Sequence, residues 1–325
     1  MTASPTSTPP ETLPEDDSSD ELGLACVLTF NTSDPSGAGG LTADITAMAS
    51  VGCHPMPVVT GAYARDTTEI FDHFPFDDDA VAEQARAVLE DMPVQAIKVG
   101  FVGSPEIVST IAQISADYAE VPVIAYMPNL SWWQDERIDQ YLDAFQELLL
   151  PQTSVLVGNH STLWRWLLPD WGSERRPSAR DLAKAAGEHG VPYLLVTGIP
   201  LPEQYLENTL ASAQTVLTSA KFERFEATFA GAGDTLSAAL TALIANGTDL
   251  VEATNEALTY LDRCLDGGFH PGMGHIVPDR MFWALAPGDE DSDEEAPAPA
   301  APETSHFEDT QPFDGFVMPP HDTKH

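Results

Sequence analysis

The strongest constraint on this chain is a rhythm of short apolar runs, each followed by a segment whose apolar residues recur at helical spacing. LACVLTFN (24–31), PMPVVTGAYA (55–64), VQAIKVGFVG (94–103), VPVIAYM (121–127), TSVLVGN (153–159) and VPYLLVTG (191–198) are strand-length and bounded by turn residues. Between them LTADITAMASVG, DDDAVAEQARAVLEDM (77–92), PEIVSTIAQISADYA, DAFQELLLP and SARDLAKAAGEHG read as helices. Near-continuous apolar strands alternating with amphipathic helices are what a parallel sheet covered on both faces requires. The rhythm breaks at about 203–229, where ENTLASAQTVLTSAKFERFEATF reads as β-hairpin material. GDTLSAALTALIANG and DLVEATNEALTYLDRCLDGG then return as two helices. The expected fold class is α/β: one doubly wound, mostly parallel sheet sandwiched by helices, with a small antiparallel edge.

Composition marks the ends of that body. Residues 1–22 are Pro, Ser, Thr and acids with almost nothing to bury, and a disordered acidic tail is expected there. A second acidic, Pro-rich tail is expected over 286–325, leaving 23–285 as the folded domain. The formal net charge of −37 argues against nucleic acid or an anionic membrane as partner, because nothing could neutralise phosphates in bulk. No stretch is long and apolar enough to span a membrane, and the N-terminus lacks the basic and apolar regions of a secretory leader. Cys26, Cys53 and Cys264 have no disulfide or metal spacing and suit reduced thiols, so a cytoplasmic protein is expected.

Sheets of this kind bind ligands outside the carboxyl ends of their strands, so the loops after LTFN, VTG and ATF are where chemistry is expected. In NTSDPSGAGGLTAD (31–44) a strand runs into Gly37, Gly39 and Gly40 and then a helix, with Asp44 on its first turn. Glycines let backbone approach a ligand, although a tight turn with a cap gives the same pattern. In GAGD (231–234) the N–H groups of Ala232, Gly233 and Asp234 open a helix and form an anion hole, with Gly231 ahead of them. Asp234 there is either a base for a substrate hydroxyl or an ordinary helix cap, and local chemistry leaves both readings open.

SDPSGAGGLTADITAMASVG, PVVTGAYARDTT, AIKVGFVGS and GAGDTLSAALTALIANG, in that order, resemble successive blocks of the hydroxymethylpyrimidine and phosphomethylpyrimidine kinases. The likeness runs over roughly residues 24–285 and places the chain with the ribokinase-like superfamily. It implies phosphorylation of hydroxymethylpyrimidine or its monophosphate in thiamine biosynthesis or salvage, with ATP and Mg2+ as cofactors. It also implies a small-molecule pyrimidine as substrate and a homodimer. Asp234 becomes the base and Gly231, Ala232 and Gly233 the anion hole, while Thr32, Ser33 and Asp44 become substrate-binding candidates. Four positions depart from the family pattern. Arg65 replaces a Gln of the ring site, a substrate-binding candidate whose cation prefers an acidic or phosphorylated ligand; Tyr126 (or Met127) and Thr162 replace acids serving magnesium, and Thr197 replaces a cation serving phosphates. These departures keep two alternatives beside the kinase: a pyrimidine-binding or regulatory protein with weakened catalysis, and a kinase for another small alcohol.

Overall fold

The structure, a computed structural model, describes residues 23–284, so both expected tails lie outside the described residues. Nine strands form one sheet in the order β3-β2-β1-β4-β5-β6-β7-β8-β9. They are β1 Cys26–Ser33, β2 His54–Arg65, β3 Ile70–Pro75, β4 Ala96–Val99, β5 Val123–Met127, β6 Val155–Asn159, β7 Tyr193–Pro200, β8 Tyr205–Ala211 and β9 Val216–Glu223. The six strands from β2 to β7 across the middle of the sheet are mutually parallel, as their buried apolar runs require. The expected hairpin is β8–β9, antiparallel beside β7. A second antiparallel edge was not expected. Strand β3 pairs with the far end of β2, and most of its side chains are exposed, which explains why EIFDHFP carries no buried-strand signal.

Among the described residues eight α-helices cover the sheet: α1 Gly40–Val51, α2 Asp78–Leu89, α3 Pro105–Asp117, α4 Asp135–Ala144, α5 His160–Leu167, α6 Ala179–Glu188, α7 Ala232–Ala245 and α8 Leu250–Asp266. The helix expected around DAFQELLLP starts earlier, at Asp135, and ends in a π-helical turn, Phe145–Leu149. Helices α1, α7 and α8 pack on one face and α2 to α6 on the other. No helix among the described residues is long and apolar enough to cross a membrane.

The two-residue period of a strand decides which face each side chain serves. On β4, Ile97 and Val99 join the core under α2 to α6, so Lys98 between them faces α7. On β1, Leu28 and Phe30 join that same core, which turns Thr29 and Asn31 toward α1 and α7. On β5, Met127 packs with the larger core and Tyr126 with the cluster beneath α7.

Candidate active site

A fully buried lysine in the middle of a sheet demands anionic partners, because an isolated buried charge costs many kcal/mol. Lys98 has two. Its ammonium donates to Asp44 Oδ1 at 2.7 Å and to Asp234 Oδ1 at 3.1 Å. Asn31 Nδ2 bridges the same acids, donating to Asp44 Oδ2 at 3.0 Å and to Asp234 Oδ1 at 2.9 Å. Thr29 Oγ1 completes the set, donating to Asp44 Oδ2 at 2.8 Å. Burial pulls the Lys98 ammonium down, but the charges of Asp44 and Asp234 outweigh it and hold it above its usual value. Burial pushes the Asp44 carboxyl up, with Lys98 pulling it down and Asp234 pushing it further up.

Asp234 is not the cap of its own helix. Gly231, at φ +81°, takes the N-cap position of α7 with no side-chain bond, so the capping reading fails. The aspartate stands in the first turn, and its Oδ2 instead accepts from Gly40 N, the first residue of α1, at 3.2 Å. Its side chain keeps 17% of its surface exposed, whereas those of Lys98 and Asp44 keep none. The N–H groups of Ala232, Gly233 and Asp234 find no acceptor among the described residues, as the opening turn of a helix leaves them. A partly open carboxylate therefore stands beside three free donors.

The Gly-rich loop forms the roof of this corner. Asp34 organises it: Oδ1 accepts from Ser36 N and Ser36 Oγ, and Oδ2 accepts from Gly39 N at 2.8 Å. Gly231 must be glycine on two counts, its positive φ and the Ala38 carbonyl oxygen, which a Cβ there would meet at 1.6 Å. Arg280 ties the roof down, donating to Ala38 O, to Gly37 O at 3.3 Å and to Thr235 Oγ1 at 2.8 Å.

Not all of the sequence candidates converge here. Asp44, Asp234 and the anion-hole residues do. Thr32 points to the opposite face of the sheet, where its hydroxyl donates to Phe101 O at 3.0 Å and lies 3.1 Å from His73 Nε2. Ser33 is exposed at the end of β1. Arg65 is paired with Asp34 at 3.3 Å, so its charge is already met by the loop. Lys98, Asn31, Asp34, His73 and Arg280 carry the geometry and were not singled out from sequence. Lys98 left one signal, a lone cation inside a run of residues buried on both faces.

The positions that depart from the family pattern are also placed. A Cβ on Gly233 would lie 2.0 Å from the Tyr126 hydroxyl oxygen, so an aryl group lies against the anion hole where the resemblance implies an acid. Burial, with the Asp234 charge, holds that phenol well above its usual value. No group of three or more Asp, Glu, His or Cys residues that could hold a metal exists among the described residues. Among the described residues there is therefore no cage of protein groups alone for magnesium, an ion ordinarily held by one or two carboxylates together with substrate phosphates. Beyond β7 the surface opens into a groove of about 900 Å³ along Asn159, Gly198, Gln204, Tyr205, Arg224 and Thr228. It adjoins an apolar hollow of about 190 Å³ lined by Leu206, Phe222, Phe225, Leu258 and Leu261.

A family model described as phosphomethylpyrimidine kinase matches residues 34–279, about three-quarters of the chain and all of this corner except β1, with its Thr29 and Asn31, and Arg280. The chain belongs to the phosphomethylpyrimidine kinase family. Membership makes it a phosphotransferase. It is 29% identical to a hydroxymethylpyrimidine/phosphomethylpyrimidine kinase of Mycobacterium tuberculosis, over 79% of this chain and 94% of that one. A protein of the same description from Streptomyces coelicolor is 28% identical over 80% of this chain and 95% of its own length. Among solved structures, pyridoxal kinase of Bacillus subtilis in complex with ADP superposes with a TM-score of 0.71 at 22% identity, covering 81% of this chain and 100% of that one. That last likeness concerns the fold, and it agrees with the sheet order and the helix layers described above.

Proposed function

We propose that the chain transfers the γ-phosphoryl group of ATP to the hydroxymethyl oxygen of a pyrimidine alcohol, or to a phosphate oxygen of its monophosphate, a step of thiamine biosynthesis or salvage. The observation that carries this reading is the partly open Asp234 carboxylate beside the three free N–H groups of α7. The apolar hollow suits a purine ring and the larger groove a sugar with its phosphates. Thr228 in the groove wall stands three residues before Gly231, so phosphates lying along the groove lead toward α7. ATP, when bound, supplies the transferable phosphoryl group. The chain's own part is to hold and aim. Lys98, Asn31 and Gly40 N fix the Asp234 carboxylate, whose remaining lone pair accepts the substrate's hydroxyl proton. The helix N–H groups meet the charge of the group in flight. Tyr126, a phenol that feels the Asp234 charge, lies against Gly233 at the helix opening beside the acceptor.

The test is a phosphotransfer assay of the purified chain with ATP and hydroxymethylpyrimidine or its monophosphate. Product should form with the native chain, and Asp234→Asn should reduce kcat by on the order of 10²-fold or more. Turnover unchanged by Asp234→Asn would remove the base from this account. A second reading, a pyrimidine-binding protein with weakened catalysis, is favoured by Tyr126 lying against Gly233. It predicts thermal stabilisation by the pyrimidine with no product. The exposed Phe71, Phe74 and Phe76 at edge strand β3 support a homodimer through that edge. A monomeric mass by light scattering would dismiss it.

A further inference from the structure

Arg280 is a cation with no counter-charge. It is 5% exposed, and no carboxylate lies within salt-bridge distance of it among the described residues. All its hydrogen bonds go to neutral oxygens: Ala38 O, Gly37 O and Thr235 Oγ1. Burying a guanidinium on neutral partners alone is unfavourable, and placing it beside the positive end of a helix adds to the cost. The position is also specific. A Cβ on Gly231 would lie 2.9 Å from Arg280 Nη2, so the guanidinium adjoins the residue immediately before the three free N–H groups. Burial pulls the guanidinium down from its usual value, with the more distant Asp234 charge opposing.

We propose that Arg280 supplies the positive charge for the phosphoryl groups that reach the α7 N-terminus, the role that Thr197 leaves unfilled. The inference rests on the phosphotransferase reading above. Its bonds to Gly37 O and Ala38 O hold the guanidinium at the edge of the anion hole. Its remaining N–H groups have no acceptor among the described residues and are free to donate to an arriving phosphate. An anion there completes both the arginine and the helix terminus, which explains why the chain retains a buried unpaired cation at a segment, PDRMFW, far in sequence from every other site residue.

The experiment uses the full chain and two variants, with tripolyphosphate and ATP as probes. Arg280→Lys keeps the charge. Arg280→Gln keeps a donor for the loop carbonyls and removes the charge. The native chain and Arg280→Lys should both gain thermal stability with tripolyphosphate. Arg280→Gln should lose most of that gain, with affinity for ATP falling about tenfold or more and kcat on the order of 10²-fold. The proposal is overturned if both variants melt earlier without ligand yet keep the native ligand-induced shift, because Arg280 would then only tie the loop down. It is also overturned if the native chain gains nothing from tripolyphosphate. Should tripolyphosphate binding depend on the Arg280 charge while no alcohol is phosphorylated, the role of Arg280 stands and the kinase reading falls.

Discussion

Two regions at the carboxyl end of the sheet are built on opposite principles. Over β1 and β4 the chain has closed on itself: Lys98 is fully buried between Asp44 and Asp234, and a loop pinned by Arg280 lies above them. Over β7 and β8 it has left a groove of about 900 Å³ whose polar groups face solvent. In the first region Lys98, Asp44 and Asp234 hold one another, so geometry is set before any ligand arrives and removing one of them strands the rest. In the second, water can replace a lost contact. Residues of the closed corner should therefore register in stability as well as activity, and those of the groove chiefly in ligand binding.

The largest effect is expected at Lys98. Lys98→Met leaves two carboxylates facing each other in a buried space, and unfolding by denaturant should show a loss of about 3–5 kcal/mol. Adding Asp44→Asn should recover part of it, since one buried charge is then removed. An unchanged midpoint in the single variant would mean that the corner is hydrated and the contrast with the groove is false.

Next comes His73, buried among Tyr63, Phe101 and Trp133 with Nδ1 unpartnered. Burial lowers its pKa from 6.5 to about 4, against the pull of Asp72. The unfolded chain then binds more protons than the folded one between those values. Its contribution is complete above pH 6.5 and is lost as pH falls through about 4, by roughly 3 kcal/mol in all. Stability measured against pH should fall across that window in the native chain and fall less in His73→Phe. Parallel curves would mean that His73 is hydrated in the folded state.

The smallest effect belongs to the groove. Asn159 caps α5 by accepting from Ser161 N at 3.0 Å, so Asn159→Ala should cost about 1 kcal/mol. Its larger consequence should be weaker ATP binding, read by titration. A loss of stability as great as that of Lys98→Met would erase the distinction between the two regions.

Much of the architecture was legible because it depends on local pattern. The parallel strands announced themselves as apolar runs and the hairpin as a break in their rhythm. Strand β3 did not, because an edge strand with most side chains exposed needs no apolar pattern. The GAGD turn was legible as a helix opening, but the choice between base and cap was not. The cap reading falls because Gly231 takes the cap with a positive φ and Gly40 N reaches Asp234 from another helix. Thr32 and Asp44 looked alike as neighbours of one loop, yet strand alternation sends Thr32 to the opposite face. Tyr126 was visible as a missing acid, but only packing brings its hydroxyl against Gly233.

By itself the sequence determined the doubly wound α/β class, the order of its elements and the helix opening at 231–234. Those follow from the period of apolar residues and from the conformations that glycine permits, both properties of neighbours along the chain. Only the tertiary structure decided that Asp234 is not the cap of α7 and that Lys98, Asn31 and Gly40 hold it. Lys98 lies 54 residues from Asp44 and 136 from Asp234, and Arg280 lies 242 from the carbonyl it holds. The state of a buried charge is set by the charges and dipoles across from it, and the fold alone chooses those.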